Sequence, residues 1–276
     1  MKQNRFTTLK NMVWVAGIFI CFLFIFVGLI FAMFRRYTPP EQGFDYTLYA
    51  PAQSNTADLT SSALGSGNAR GPLHLLGETA DGGDSYTSSI TFLVDSTYIG
   101  LRDLGLVDSN KVWGSPTGSL KMDTLNSAVI RYPNDGSEIS PVSAAMISKP
   151  EVLMIAIGED GLTSVDENTF ITYYDGLVKE IQAASPDTRI ICCGLPGVIA
   201  GYNGSDGLSV GVISDGNDWV QLVCRDTGAY YLNTQEAVSE SVQLLNRYAS
   251  SNGKTLNRAG LETFMRYVRT HALPRA

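Results

Sequence analysis

Three short, nearly unbroken apolar runs constrain this chain more than anything else in it: residues 90–94 (ITFLV), 152–157 (VLMIAI) and 189–193 (RIICC). Runs of five or six residues without polar alternation suit parallel strands buried on both faces. A weaker fourth run covers 229–232. Between the second and third, Phe170, Tyr174, Leu177, Val178 and Ile181 recur at i, i+4, i+7, i+8 and i+11, which predicts an amphipathic helix. Ser164 and Glu167 read as its capping box and Pro186 as its stop. A second helix is expected over about 218–226, closed by Gly228. A third is expected over about 258–271, where Leu261, Phe264, Met265 and Val268 align behind Asn257 as N-cap. Strands alternating with helices predict an α/β domain, a three-layer α/β/α sandwich on a parallel sheet.

Ahead of that domain, residues 12–34 form an apolar run with no charge, about long enough to cross a ~30 Å hydrocarbon core as a helix. The run is too long for a cleaved signal peptide and lacks an A-x-A-like exit, so it reads as a transmembrane signal anchor. Cys21 has Ile20 before it and apolar residues after it, which excludes a lipoprotein site. Lys2, Arg5 and Lys10 precede the run and Arg35 and Arg36 follow it, a bias toward a cytoplasmic tail at 1–11 and an extracytoplasmic C-terminal domain at the cell membrane. With those five set aside, 15 of the 20 Lys+Arg face all 27 Asp+Glu, an acidic balance that argues against nucleic acid as a partner. Residues 35–85, rich in Ser, Thr, Gly and Ala, read as a flexible stalk, and 86–276 as the folded domain.

Parallel sheets present their sites at the carboxyl ends of the strands. Those ends carry Asp95-Ser96, then Gly158-Glu159-Asp160, then Gly194-Leu195-Pro196. The stretch ITFLVDSTYIGL resembles the first block of the SGNH/GDSL hydrolases, MIAIGEDGL the third and YASSNGKTLNRAGLETF the last. The helix and strand after the third block, residues 166–196, are also similar to that family, so the resemblance covers nearly the whole domain and implies its flavodoxin-like fold. It implies Ser96 as nucleophile, preceded by Asp95, and Gly118 as an oxyanion-hole donor. It also exposes three replacements: Asp160 for the asparagine that donates an amide, Asn252 for the aspartate and Thr255 for the histidine of the closing Asp-x-x-His.

A serine hydroxyl is a poor nucleophile without a nearby base, and threonine is not one near neutral pH. Removing one oxyanion donor costs about 100- to 1,000-fold, and a carboxylate in its place opposes the developing charge. The chain has two histidines, His74 in the stalk and His271 near the C-terminus. Cys192, Cys193 and Cys224 read as packed thiols; with no CxxC a zinc site is not indicated, and no cofactor is implied. Asp95, Glu159 and Asp160 could instead gather around a hard cation or stay solvated. Asn203-Gly204-Ser205 is a glycosylation sequon where the machinery exists, and residues 201–217 read as a long mobile loop beside the site.

These residues leave three functions open. One is a non-catalytic, membrane-tethered module binding an envelope glycan, peptide or protein. The second is a serine esterase or deacetylase on acylated carbohydrate, with Ser96 and an unconventional base such as His74. The last is a structural spacer with a vestigial cleft.

Overall fold

The computed structural model describes residues 70–274. The apolar run at 12–34, the tail before it and the stalk up to residue 69 lie outside the described residues. Among the described residues no helix is long and apolar enough to cross a membrane.

Six parallel strands make the central sheet: β1 (His74–Leu75), β2 (Ile90–Val94), β3 (Val112–Gly114), β4 (Val152–Ala156), β5 (Arg189–Cys193) and β6 (Tyr230–Leu232). Their spatial order is β1-β6-β5-β4-β2-β3. The register aligns Ile90 with Val152 and Val152 with Arg189, so the starts of the three longest strands lie level. Their carboxyl ends therefore reach one edge together, where Asp95, Ile157 and Gly194 leave the sheet. Helices connect the strands: α1 (Gly83–Ser89), α2 (Gly100–Asp103), α3 (Pro141–Ser148), α4 (Glu167–Ala184), α5 (Val210–Thr227), α6 (Gln235–Val238) and α7 (Arg258–Thr270).

Alternate residues of each strand divide two cores. Leu93, Ile155, Ile190 and Cys192 pack with Phe170, Tyr174 and Ile181 of α4 and with Ile213 and Val220 of α5. Phe92, Val94, Met154 and Cys193 pack on the other side with Leu261, Phe264 and Val268 of α7. Each fully buried Phe or Leu contributes about 1.5–3 kcal/mol of transfer free energy, so both helical layers are held chiefly by these apolar faces. The three-layer sandwich expected from the sequence is the architecture found.

Three local expectations are corrected. Helix α4 is capped by Asp166, whose side chain accepts from the Thr169 N–H at 2.8 Å, and not by a box of Ser164 with Glu167. Ser164 ends a separate 3₁₀ turn. Helix α5 begins at Val210, capped by Ser209, so half of the supposed loop at 201–217 is helical. Gly211, Asp215, Gly216 and Asn217 disguised it, and packing demands the last two: a Cβ on Gly216 would lie 2.8 Å from a Leu195 methyl, and buried Asn217 bonds the Leu195 backbone. Residues 70–85, read as the end of the stalk, belong to the folded unit, with Leu76 buried and its N–H donating to the Tyr231 carbonyl at 2.9 Å. Sheet and helix also include β1 and β3, which are too short to show a period.

Candidate active site

The carboxyl ends of β2, β4 and β5 are tied together by carboxyl groups accepting from loop donors. Asp95, 1% exposed, follows β2 directly. Its Oδ1 accepts from the Thr97 N–H at 3.0 Å, and its Oδ2 from the N–H groups of Gly158 and Glu159 at 3.0 and 3.2 Å. Glu159, 2% exposed, accepts from the Thr97 hydroxyl at 2.7 Å and from the Gly197 N–H at 2.9 Å. One buried side chain thus joins the loops after β2, β4 and β5. Burial first, and then the charge of Asp160, push the Asp95 carboxyl up to about 7. Burial and the charge of Asp95 push Glu159 up to about 8. Asp95 meets only backbone N–H donors and suits the ionised form. Glu159 faces a hydroxyl that can reverse its role and is the more strongly raised of the two, so near neutral pH it is Glu159 that holds a proton.

Ser96 sits at the rim of this frame. Its hydroxyl donates to Asp160 Oδ1 at 2.7 Å, and its own N–H donates to Asp160 Oδ2 at 3.0 Å. In serine hydrolases the N–H of the nucleophile is a natural oxyanion donor. Here an internal carboxylate already occupies that donor, and it takes the serine proton's hydrogen bond as well.

The closing segment adds no base. Asn252 Oδ1 accepts from the N–H of Lys254, the N–H of Thr255 and the Thr255 hydroxyl at 3.0–3.1 Å, so the two side chains at the Asp and His positions are spent on each other. The segment is nevertheless in place, since Leu256 donates its N–H to the Thr97 carbonyl at 3.4 Å. Its neighbour Lys254 reaches Asp206 at 2.9 Å, and Asp206 also accepts the Tyr202 hydroxyl. Burial lowers the Lys254 amine, but the hydrogen bond and charge of Asp206 outweigh it and hold the group above its ordinary value.

Ser96, Asp95 and Asp160 converge, with Asn252 and Thr255 in the adjoining loop. Gly118 does not act as a free donor: its N–H closes a turn onto the Ser115 carbonyl at 2.9 Å, a geometry that the spacing alone does not reveal. His74 is also excluded as a base. It lies exposed on β1, four strands from β2, which at about 4.8 Å per step is roughly 19 Å across the sheet. His271 ends α7, with its ring stacked 3.7 Å from Tyr267 and Nδ1 2.9 Å from the Tyr267 carbonyl oxygen. Thirteen helical residues, about 20 Å, separate it from the Leu256–Thr97 contact. Among the described residues no group of three or more His, Cys, Asp or Glu is arranged to hold a metal ion. Asp95, Glu159 and Asp160 each face N–H or hydroxyl donors instead. Sequence reasoning missed the clamping role of Glu159 and the Lys254–Asp206–Tyr202 cluster; the adjacency of Glu159 to Asp160 was the only available signal for the first.

No protein-family model and no curated protein matches the chain. Solved structures do, among them GDSL-like lipases and acylhydrolases. The fold is that of the SGNH/GDSL hydrolases. A Streptococcus pneumoniae protein described as a platelet activating factor is 16% identical, with a TM-score of 0.50 over 66% of this chain and 82% of that one. A GDSL-like lipase from Parabacteroides merdae is also 16% identical, with a TM-score of 0.45 over 66% of this chain and 94% of its own. The periplasmic domain of a lipopolysaccharide acetyltransferase from Salmonella ser. Paratyphi A is 13% identical, with a TM-score of 0.43 over 65% of this chain and 82% of that one. The likeness is one of fold at low identity; the chemistry of Ser96 has to be argued from its own surroundings.

Proposed function

We propose that this protein is a membrane-anchored, extracytoplasmic SGNH/GDSL-hydrolase-like module, a divergent member of that family, which has lost ester hydrolysis and binds a partner or glycan at the cell envelope. The observation that carries the reading is the double hydrogen bond from Ser96 to Asp160. A carboxylate at that place fills the serine N–H that would receive an oxyanion and opposes negative charge developing on a bound acyl group. No imidazole lies within reach of Ser96 among the described residues. The buried frame of Asp95, Glu159 and Thr97 keeps the cleft's architecture after the relay is gone, which suits recognition without turnover.

One contact favours a second reading, a serine esterase or deacetylase on acylated carbohydrate. Asp160 Oδ1 lies 2.7 Å from the Ser96 hydroxyl, nucleophile-to-base distance. Carboxylates as a class are weaker bases than imidazole by roughly 2.5 pKa units, and this one would have to accept a proton and tolerate an oxyanion together. The first reading is therefore preferred.

The deciding assay uses the full chain in detergent, with p-nitrophenyl acetate as substrate and a fluorophosphonate as serine label. Hydrolysis at the solvent rate and no label on Ser96 are expected. Turnover well above background that Ser96→Ala abolishes would establish the esterase reading. Protease accessibility on intact spheroplasts tests the topology: digestion of the domain is expected, and protection until lysis would refute the extracytoplasmic placement.

A further inference from the structure

The strand-end face carries a second concavity, separate from Ser96. It is a groove of about 440 Å³ between Ala200, in the loop after β5, and the segment 240–247 after β6. A volume of that size lies within the range of small-molecule sites. The segment forms a hairpin in which Ser239–Glu240 pairs antiparallel with Gln243–Leu244. Its two-residue turn, Ser241-Val242, holds both residues at positive φ, 49° and 68°. Gly or Asn is the usual occupant of such a turn, and a β-branched valine there costs on the order of 1–3 kcal/mol. The surroundings enforce the conformation: the Leu244 N–H donates to the Val198 carbonyl, the Leu245 N–H to the Val238 carbonyl, and the Ser239 hydroxyl to the Pro196 carbonyl. Strain maintained by this many anchors is characteristic of ligand clamps.

The lining is polar and carries both signs of charge. Side chains of Glu240, Ser241, Gln243 and Asn246 line the groove, and none of them makes a hydrogen bond within the described residues. Arg247 is fixed beside them, its guanidinium 4.7 Å from the centre of the Tyr248 ring. Two amides, a carboxylate, a hydroxyl and a guanidinium offer paired donors and acceptors around a space with one charge of each sign. A polyanion would meet Glu240, and a peptide adding to the hairpin would find the Leu244 and Leu245 N–H groups already occupied. A hydroxyl-rich neutral ligand satisfies the set.

We propose that this groove is a binding subsite for a neutral oligosaccharide. The inference rests on the recognition reading above and locates it. The groove shares a wall with the degenerate site, since the loop that supplies Pro196, Val198 and Ala200 also gives the Gly197 N–H to Glu159. A glycan held here lies beside the strand-end loops without needing Ser96.

The test is calorimetric titration of the full chain in detergent with cellotetraose, chitotetraose and maltotetraose. At least one is expected to bind, and Gln243→Ala and Asn246→Ala are each expected to weaken it roughly tenfold, the usual effect of deleting a ligand hydrogen bond. Both residues are exposed, and an unchanged melting temperature confirms that the variants fold. Ser96→Ala is expected to bind as the parent does. Absence of binding by all three sugars, or binding that ignores both groove variants, overturns the subsite. Sugar binding that is lost in Asp160→Ala but kept in the groove variants also overturns it, while leaving the recognition reading intact. Fluorophosphonate labelling of Ser96 tells against that reading alone.

Discussion

Replacing Glu159 by glutamine should flatten the pH dependence of stability. In the unfolded chain a glutamate loses its proton near pH 4.5, whereas in the fold Glu159 keeps it up to about 8. Across that window the folded state binds more protons than the unfolded state, so stability falls as pH rises. The stability conferred by the bound proton is fully present below the unfolded value and is lost as pH rises through the folded one. At about 1.36 kcal/mol per unit, the three units between pH 5 and pH 8 correspond to at most about 4 kcal/mol. For a domain of this size that is on the order of 10 °C in Tm. Asp95, raised to about 7, acts in the same direction. Asp81, Asp135 and Asp166, all lowered, lose their contribution only at acid pH, outside the window. Glutamine keeps an oxygen for the Gly197 N–H and offers an amide to the Thr97 hydroxyl, so the clamp survives without the charge. The burial and the Asp160 charge that raise Asp95 stay in place, so the variant keeps that part of the pH dependence. Melting followed by circular dichroism at pH 5, 6, 7 and 8 should show the parent losing stability steadily and Glu159→Gln losing much less, with the variant the more stable of the two at pH 8. Parallel curves for the two proteins would refute the assignment of the proton to Glu159.

Three further outcomes are expected of the same fold. A fragment beginning at residue 70 should melt cooperatively, whereas one beginning at 86 should melt lower or aggregate, because it lacks β1 and buried Leu76 and uncovers the edge of β6; equal melting temperatures would remove 70–85 from the folded unit. Gly260→Ala should cost about 1–3 kcal/mol, since its Cβ would lie 2.5 Å from the Tyr248 carbonyl oxygen, a backbone atom with little room to give; a change in chemical denaturation below about 0.5 kcal/mol would contradict this. Asn252→Asp, Thr255→His and Asp160→Asn should each leave Ser96 unlabelled by a fluorophosphonate, and only their combination should raise labelling, because members of a relay act non-additively; labelling by any one alone would show that the remaining site is nearer to function than argued.

The legibility of this chain followed the length of its periodic segments. Strands β2 and β5 and helices α4 and α7 each repeat an apolar pattern long enough to be read, and Asn257 caps α7 as its position suggests. Strands β1 and β3 span two and three residues and carry no period at all. The first half of α5 looks like a loop because Gly216 and Asn217 answer to tertiary demands. The first admits Leu195 and Leu162, and the second bonds the Leu195 backbone through both ends of its amide. At the site, Ser96 and Asp160 follow neighbouring strands and meet in two hydrogen bonds, but whether an N–H is free depends on turn geometry. Gly118 looked suitable by spacing, and its donor is spent.

The alternation along β5 places neighbouring thiols on opposite sides of the sheet. Cys192 faces the layer of α4 and α5, where Cys224 also lies, and Cys193 faces the layer of α7. Each thiol is inaccessible until its own layer opens. Alkylation by a small reagent, resolved residue by residue with mass spectrometry, would time the two openings separately in one molecule. Similar rates would mean that the sandwich breathes as a unit. A faster Cys193 would mean that the α7 side, which carries Asn252 and Thr255 at its start, detaches first.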